Sequence, residues 1–139
     1  MSKKLKCIIQ SLEENGEDAS MIALKSFEGE VKRRIHNTGR RGDGLMIGRY
    51  RSAYWKAKRQ AAGRQIEYVD LEMTGALRRS LTTGQIRGGA VLGFDSDQEK
   101  EKYDSMIALY GNVWRPSTLE QRNIQERFWN QIKKGMKNC

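Results

Sequence analysis

Asp70 and Glu72 are the two acids whose spacing invites a chemical role. In "YVDLEMTGALRRSL", residues 68–81, they alternate with Val69 and Leu71 in the period-2 pattern of a half-buried strand. Two carboxylates on one strand face beside a basic surface could chelate a divalent cation, as in metal-dependent nucleases. The commoner fate of such a pair is solvation or ion pairing. None of the seventeen acids is marked by a neighbour that would split a catalytic pair's pKa values. His36 is the only histidine, so a histidine-based metal site or triad lacks partners. Cys7 and Cys139 match neither zinc spacing nor a disulfide framework and read as free thiols made in a reducing cytoplasm. The expectation is a protein that is not an enzyme and takes no metal or cofactor.

The abundant chemistry is cationic and localised. Residues 1–31 carry a net charge of −2, residues 32–91 carry +10 and residues 92–139 carry +1. A basic surface of this kind steers toward a polyanion, with nucleic acid the usual one, or matches an acidic neighbouring subunit. The stretch "TGRRGDGLMIGRYRS", 38–52, reads as a mobile loop followed by a short strand, Leu45–Tyr50, and the loop glycines Gly39, Gly42 and Gly44 let backbone come close to another group. It lacks the Lys-Ser/Thr ending of a phosphate-binding P-loop. Its Arg-Gly-Asp tripeptide is short enough to arise by chance, whereas arginines on phosphates fit the loop better. Tyr54 and Trp55 lie beside basic residues and could stack on bases, but aromatics at helical spacing are more often core anchors.

These residues need a frame, and 139 residues suffice for a single domain, 1–139. With 37% apolar and 31% charged residues, a thin core supplemented by subunit contacts is expected. No apolar run approaches the roughly 18 residues of a membrane span, and no secretory cleavage site is visible. Residues 1–40 read as an N-terminal helical segment. A short helix from Lys3 to Glu14 stops at Asn15-Gly16, and a longer one carries Leu24, Phe27, Val31 and Ile35 to a stop at 37–39. The body, 45–139, offers strands at Leu45–Tyr50, Ile66–Glu72 and 84–96, with 76–82 as strand or short helix. Helices are expected over 52–63, capped by Ser52, and 96–111, capped by Ser96 or Asp97. Pro116 precedes Ser117-x-x-Glu120, a capping box that opens a long amphipathic C-terminal helix over 117–138. The fold class is α+β: a small, mainly antiparallel sheet packed by several helices.

The order of these pieces resembles the small neck or tail-completion proteins of long-tailed bacteriophages. The resemblance spans about residues 45–139 and rests on Thr74, Gly75, Leu77 and Ser80, then Gly93 and Phe94, then Tyr110, Gly111, Trp114, Pro116, Ser117 and Glu120. It implies a structural virion protein made in the host cytoplasm, assembling as a homo-oligomeric ring at the head–tail junction or the top of the tail. Portal-side, connector or tail proteins would be its neighbours, and packaged DNA would run through the ring, with no membrane involved.

A ring subunit needs two unlike, complementary faces. The basic candidates for the DNA lumen or the ring interface are Arg33, Arg34, Arg40, Arg41, Arg49, Arg51, Arg78 and Arg79. The acidic interface candidates are Glu28, Glu30, Asp95, Asp97, Glu99 and Glu101. In this scheme Asp70 and Glu72 pin the sheet, and Thr74-Gly75 bends the chain. The rival is a basic, monomeric nucleic-acid-binding module that places its arginines on phosphates.

Overall fold

In the computed structural model, which describes residues 1–137 and 139, the chain is α+β. Its elements run α1 (Lys3–Lys32), a π-helical turn (Arg33–Asn37), α2 (Ala53–Ala61), α3 (Ala76–Ser80), β1 (Leu81–Ile86), β2 (Gly89–Phe94), α4 (Asp97–Tyr110) and α5 (Thr118–Gly135). The sheet is a two-stranded antiparallel hairpin, with Leu81 opposite Phe94 and Ile86 opposite Gly89.

The long helix α1 is the spine, about 45 Å from end to end at 1.5 Å per residue. The expected break at Asn15-Gly16 is absent. A helix stop needs its glycine in the left-handed region, and Gly16 is not among the glycines there. Asn15 instead donates its side-chain amide to the Ser11 carbonyl and lies against Gly135 of α5. Packing of α1 on α5 outweighs the roughly 1 kcal/mol that a mid-helix glycine costs. The α-helix and the π-helical turn therefore run on as one helical stretch, Lys3–Asn37, packed on the body.

The helices α1 and α5 run antiparallel. Ser11 donates to the Gly135 carbonyl near one end, Arg127 pairs with Glu30 in the middle, and Arg34 meets Glu120 at the other end. This arrangement brings the distant cysteines together, and Cys7 and Cys139 form a disulfide with a Cα–Cα separation of 5.7 Å. The expectation of free thiols is thereby overturned. No pattern of local spacing could reveal a partner 132 residues away.

The hairpin lies along α1. Glu28 accepts from the backbone and hydroxyl of Thr83, while Glu17 accepts from Gly88 N–H and the Gln85 side chain at the tip. Phe27, Val31 and Ile35 of α1 form the core with Leu77, Leu81, Val113 and Trp114, as well as Ile47, Val69 and Leu71. Phe94 and Tyr103 each meet Trp114 edge to face and are tilted against one another, with centroids 4.8–6.0 Å apart.

Two expected strands are missing. Residues 45–50 and 66–72 are irregular, joined by a hydrogen bond from Val69 N–H to the Gly48 carbonyl. Val69, Asp70 and Leu71 are buried in succession, which no regular strand with one solvent face allows. A left-handed kink at Leu71, φ 53°, interrupts the extended backbone there. Serine caps open α2, α4 and α5 at Ser52, Ser96 and Ser117, the last with a complete capping box. The C-terminal helix ends at Gly135, and position 138 of the expected span lies outside the described residues.

Candidate functional site

Asp70 is the centre of a buried polar knot. Its Oδ1 accepts from Arg59 Nη2 at 3.0 Å, from Tyr50 Oη at 3.2 Å and from Glu72 N–H at 2.9 Å. Its Oδ2 accepts from Arg59 Nη2 at 3.2 Å and Gln65 Nε2 at 2.8 Å. Arg59 reaches in from α2, gives its remaining donors to the carbonyls of Gln65 and Glu72, and stacks over the Tyr50 ring at 4.4 Å. Burial, with the Asp70 carboxylate adding to it, pushes the Tyr50 phenol up to about 12.

Both Asp70 oxygens are thus committed to protein donors, and Glu72 turns to Arg78 at 3.8 Å. The exposed acidic strand face required for chelation does not exist. Among the described residues, no group of three or more His, Cys, Asp or Glu could hold a metal. Sequence inspection missed Arg59 because nothing local distinguishes it from the exposed Lys58 beside it.

The eight candidate arginines fall into two sets. Arg34 belongs inside: Nε meets the Glu120 carboxylate at 3.1 and 3.2 Å, and Nη1 and Nη2 donate to the carbonyls of Arg40, Val113 and Arg115. Its assignment to a lumen or interface is corrected, because all of this binding capacity is spent within the chain. Arg78 is half-buried between Asn37 and Glu72. Arg41 pairs with Asp43 at 2.9 Å. Arg33, Arg40, Arg49, Arg51 and Arg79 are exposed.

The loop carrying Arg40 and Arg41 is a built turn. Arg41 N–H donates to Leu45, Gly44 N–H donates to Arg41, Leu45 N–H donates to Asp43 Oδ1, and Arg40 bridges Met46. Gly42 comes against Arg115 of the same chain, where an added Cβ would sit 2.6 Å from the carbonyl oxygen. The close approach expected of these glycines is made by Gly39 and Gly42 to the chain's own residues, and Gly44 faces open space. At the tip, Leu45 is 62% exposed.

The acids divide in the same way. Glu28 and Glu30 are internal, bound to Thr83 with Lys32 and to Arg127 respectively, so their assignment to a subunit interface is corrected. Asp95, Asp97 and Glu101 are exposed. Glu99 is buried; its Oε1 accepts from Lys102 at 2.9 Å, and its Oε2 has no partner among the described residues.

Glu99 lines a groove of about 590 Å³ between α2, residues 69–77 and α4. Its walls are Trp55, Leu71, Met73, Leu77, Met106 and Leu109, with Lys58 and Lys102 among the lining residues. Trp55 and Leu109 stand 49% and 75% exposed. Tyr54 is exposed as well, and Lys58 lies over both aromatic rings at 5.9 and 5.1 Å. The expectation that Tyr54 and Trp55 anchor the core is therefore wrong. The helix α2 turns Arg59 inward and its aromatics outward.

Comparison with protein-family models, curated proteins and solved structures gives no match. Two surfaces among the described residues bear on function, the arginine turn with Leu45 at its tip and the apolar groove beside Glu99. Neither has the convergent acid, base and nucleophile of a reaction centre, and each has the chemistry of a contact.

Proposed function

We propose that this chain is a structural virion protein whose copies join as a ring at a phage head–tail junction or the top of the tail, around the DNA passage. The observation carrying this reading is where the residues of the resemblance lie: they build the frame. Gly75 takes the left-handed conformation at the start of α3, Leu77 and Ser80 are buried, and Phe94 packs on Trp114. Gly111 closes α4, and Ser117 with Glu120 caps α5. That frame presents one basic turn and one apolar groove, as a subunit with unlike contact faces would. Portal-side or tail proteins and packaged DNA are the partners this reading names.

A second reading, a nucleic-acid-binding module, draws support from the exposure of Tyr54 and Trp55 beside Lys58, a stacking platform flanked by cations. The two separate in solution. A ring subunit gains mass by light scattering, alone or with a portal-side or tail-side partner, and binds free duplex weakly. The module stays at 16.0 kDa and binds DNA tightly, its affinity falling steeply between about 50 and about 200 mM salt. A strict monomer with such binding would reverse the order of the two readings.

A further inference from the structure

We infer that α2 is the face this chain turns to duplex DNA, its cations meeting the phosphate rows on both edges of a DNA groove. The inference rests on the assembly reading above, in which duplex runs past every subunit, and names the element that touches it. Three observations converge on it.

The first is how little of α2 the fold uses. Of its nine residues only Arg59 is buried, held by Asp70 and by the carbonyls of Gln65 and Glu72. A single arginine pins the helix, and the rest of its surface is open or half-open.

The second is charge. Residues 44–66 hold six cations and no acid. Arg59 and Arg64 are spent within the chain, the latter on the Met73 carbonyl, which leaves Arg49, Arg51, Lys56 and Lys58. None of these four has an ion-pair partner among the described residues. Acids beside α2 are already engaged, Asp70 with Arg59, Glu72 with Arg78 and Glu99 with Lys102. Unopposed cations suit a polyanion, which releases condensed counterions when they bind. The arginine turn is less free, since Arg41 holds Asp43 and Arg40 donates to the Gly44 carbonyl.

The third is shape. At about 100° per residue, Ala53, Ala57 and Ala61 share the side of α2 opposite Arg59, and all three are exposed. They make a ridge with no side chain longer than a methyl group. Lys56 and Lys58 stand on its two flanks, and the exposed Arg49 and Arg51 continue the charge beyond the N-terminus of the helix. A helix this bare fits the major groove of B-DNA, about 12 Å wide, with cations toward both phosphate edges. Contacts of that kind position a duplex without reading its sequence.

The test is titration of the labelled chain with a mixed-sequence duplex of about 20 base pairs at about 20 mM salt, followed by NMR. The largest amide shifts should fall within residues 49–62. Four phosphate contacts give a log–log salt slope of about −3 to −4, so affinity should drop about 100-fold between about 50 and about 200 mM salt. Arg51→Gln with Lys58→Gln removes two exposed cations and should leave the circular dichroism spectrum unchanged. That pair should weaken binding at least about 30-fold and flatten the slope by about 2. Arg122→Gln with Lys133→Gln removes the same charge from the exposed side of α5 and should flatten it by less than about 1.

Shifts centred outside residues 49–62 would overturn the assignment, as would equal effects of the two double variants. So would a single strand of the same length that binds more tightly than the duplex, or no binding at about 20 mM salt and about 1 mM protein. If the chain assembles with a portal-side or tail-side partner while the α2 variant binds duplex like wild type, the ring reading survives and this contact falls. If the α2 variant loses duplex binding but the wild-type chain never gains mass by light scattering, alone or with such a partner, the contact survives and the ring reading falls.

Discussion

Arg34, in the π-helical turn after α1, holds Glu120, in the first turn of α5, through Nε at 3.1 Å from Oε1 and 3.2 Å from Oε2. The same carboxylate closes the capping box by accepting from Ser117 N–H at 2.8 Å. One ion pair therefore fixes the relative position of the two longest helices and the loop between α4 and α5. Neither partner is replaceable by size alone. Arg34→Met should leave Glu120 buried without its cation and three carbonyls without donors. The expected loss is about 3–5 kcal/mol in denaturant unfolding. Glu120→Gln, which keeps an acceptor for the cap, should cost about 1–2 kcal/mol. Equal losses for the two would mean that the pair is not the unit holding the helices.

The pH response has a term on each side of neutrality. Burial drives the His36 imidazole below its ordinary value, opposed by the Asp70 carbonyl at 2.9 Å. A carbonyl only accepts, so Nδ1 carries the proton of the neutral ring. A histidine with a depressed folded pKa stabilises fully above about 6.5, and that contribution is lost as pH falls through the folded value. Tyr50 works in the opposite sense. Its folded pKa of about 12 lies above the ordinary value, so its contribution is complete below about 10 and is lost as pH rises toward 12. Unfolding free energy should therefore decline on both flanks. Tyr50→Phe should remove part of the alkaline decline, since burial also raises Tyr103, and His36→Gln should remove part of the acid one. NMR titration should find the His36 midpoint below that of an ordinary histidine, and a midpoint above it would contradict its burial.

Cys7 and Cys139 close a loop spanning nearly the whole chain. Chain-entropy reasoning gives a bridge of that length about 4–5 kcal/mol, and measured contributions are commonly about 2–4 kcal/mol. Reduction, or the paired change Cys7→Ser with Cys139→Ser, should lower Tm while preserving the helical spectrum, because Arg34–Glu120 and Glu30–Arg127 still join α1 to α5. Thiol assay of the unreduced, denatured chain should detect no free sulfhydryl. Two titrating thiols would show that the bridge does not form in the isolated protein.

How legible the molecule was depends on the range of each interaction. Ser52, Ser96 and Ser117 announced their helices because an N-cap works within three residues. The stripe Phe27, Val31 and Ile35 likewise marked a buried helix face. For Asp70 the ion pairing expected as one alternative is present, but the alternation points to a strand that is absent, and the partner, Arg59, lies on another element. Arg34 misled for the same reason, since its partner Glu120 lies 86 residues away. The Asn15-Gly16 stop was a sound local inference overruled by packing on α5. Candidate surface residues such as Arg40 and Asp97 remained exposed, but nothing in the sequence distinguished them from their internalised neighbours. The groove was invisible because α2, residues 69–77 and α4 converge only in three dimensions.

Gly42 and Gly44 sit two residues apart in the arginine turn and should respond differently to alanine. At Gly42 an added Cβ meets the Arg115 carbonyl oxygen at 2.6 Å, so the turn must move off residues 112–117. At Gly44 the space is open, and only the left-handed backbone, φ 83°, resists the change, at about 1–2 kcal/mol. Gly42→Ala should therefore raise hydrogen exchange beyond the turn, at the amides of Arg40 and Ile47 that tie it to Arg34 and Gly39. Gly44→Ala should raise exchange chiefly at its own amide, which donates to Arg41. If exchange rises equally in both variants, contact with Arg115 is not what fixes the turn.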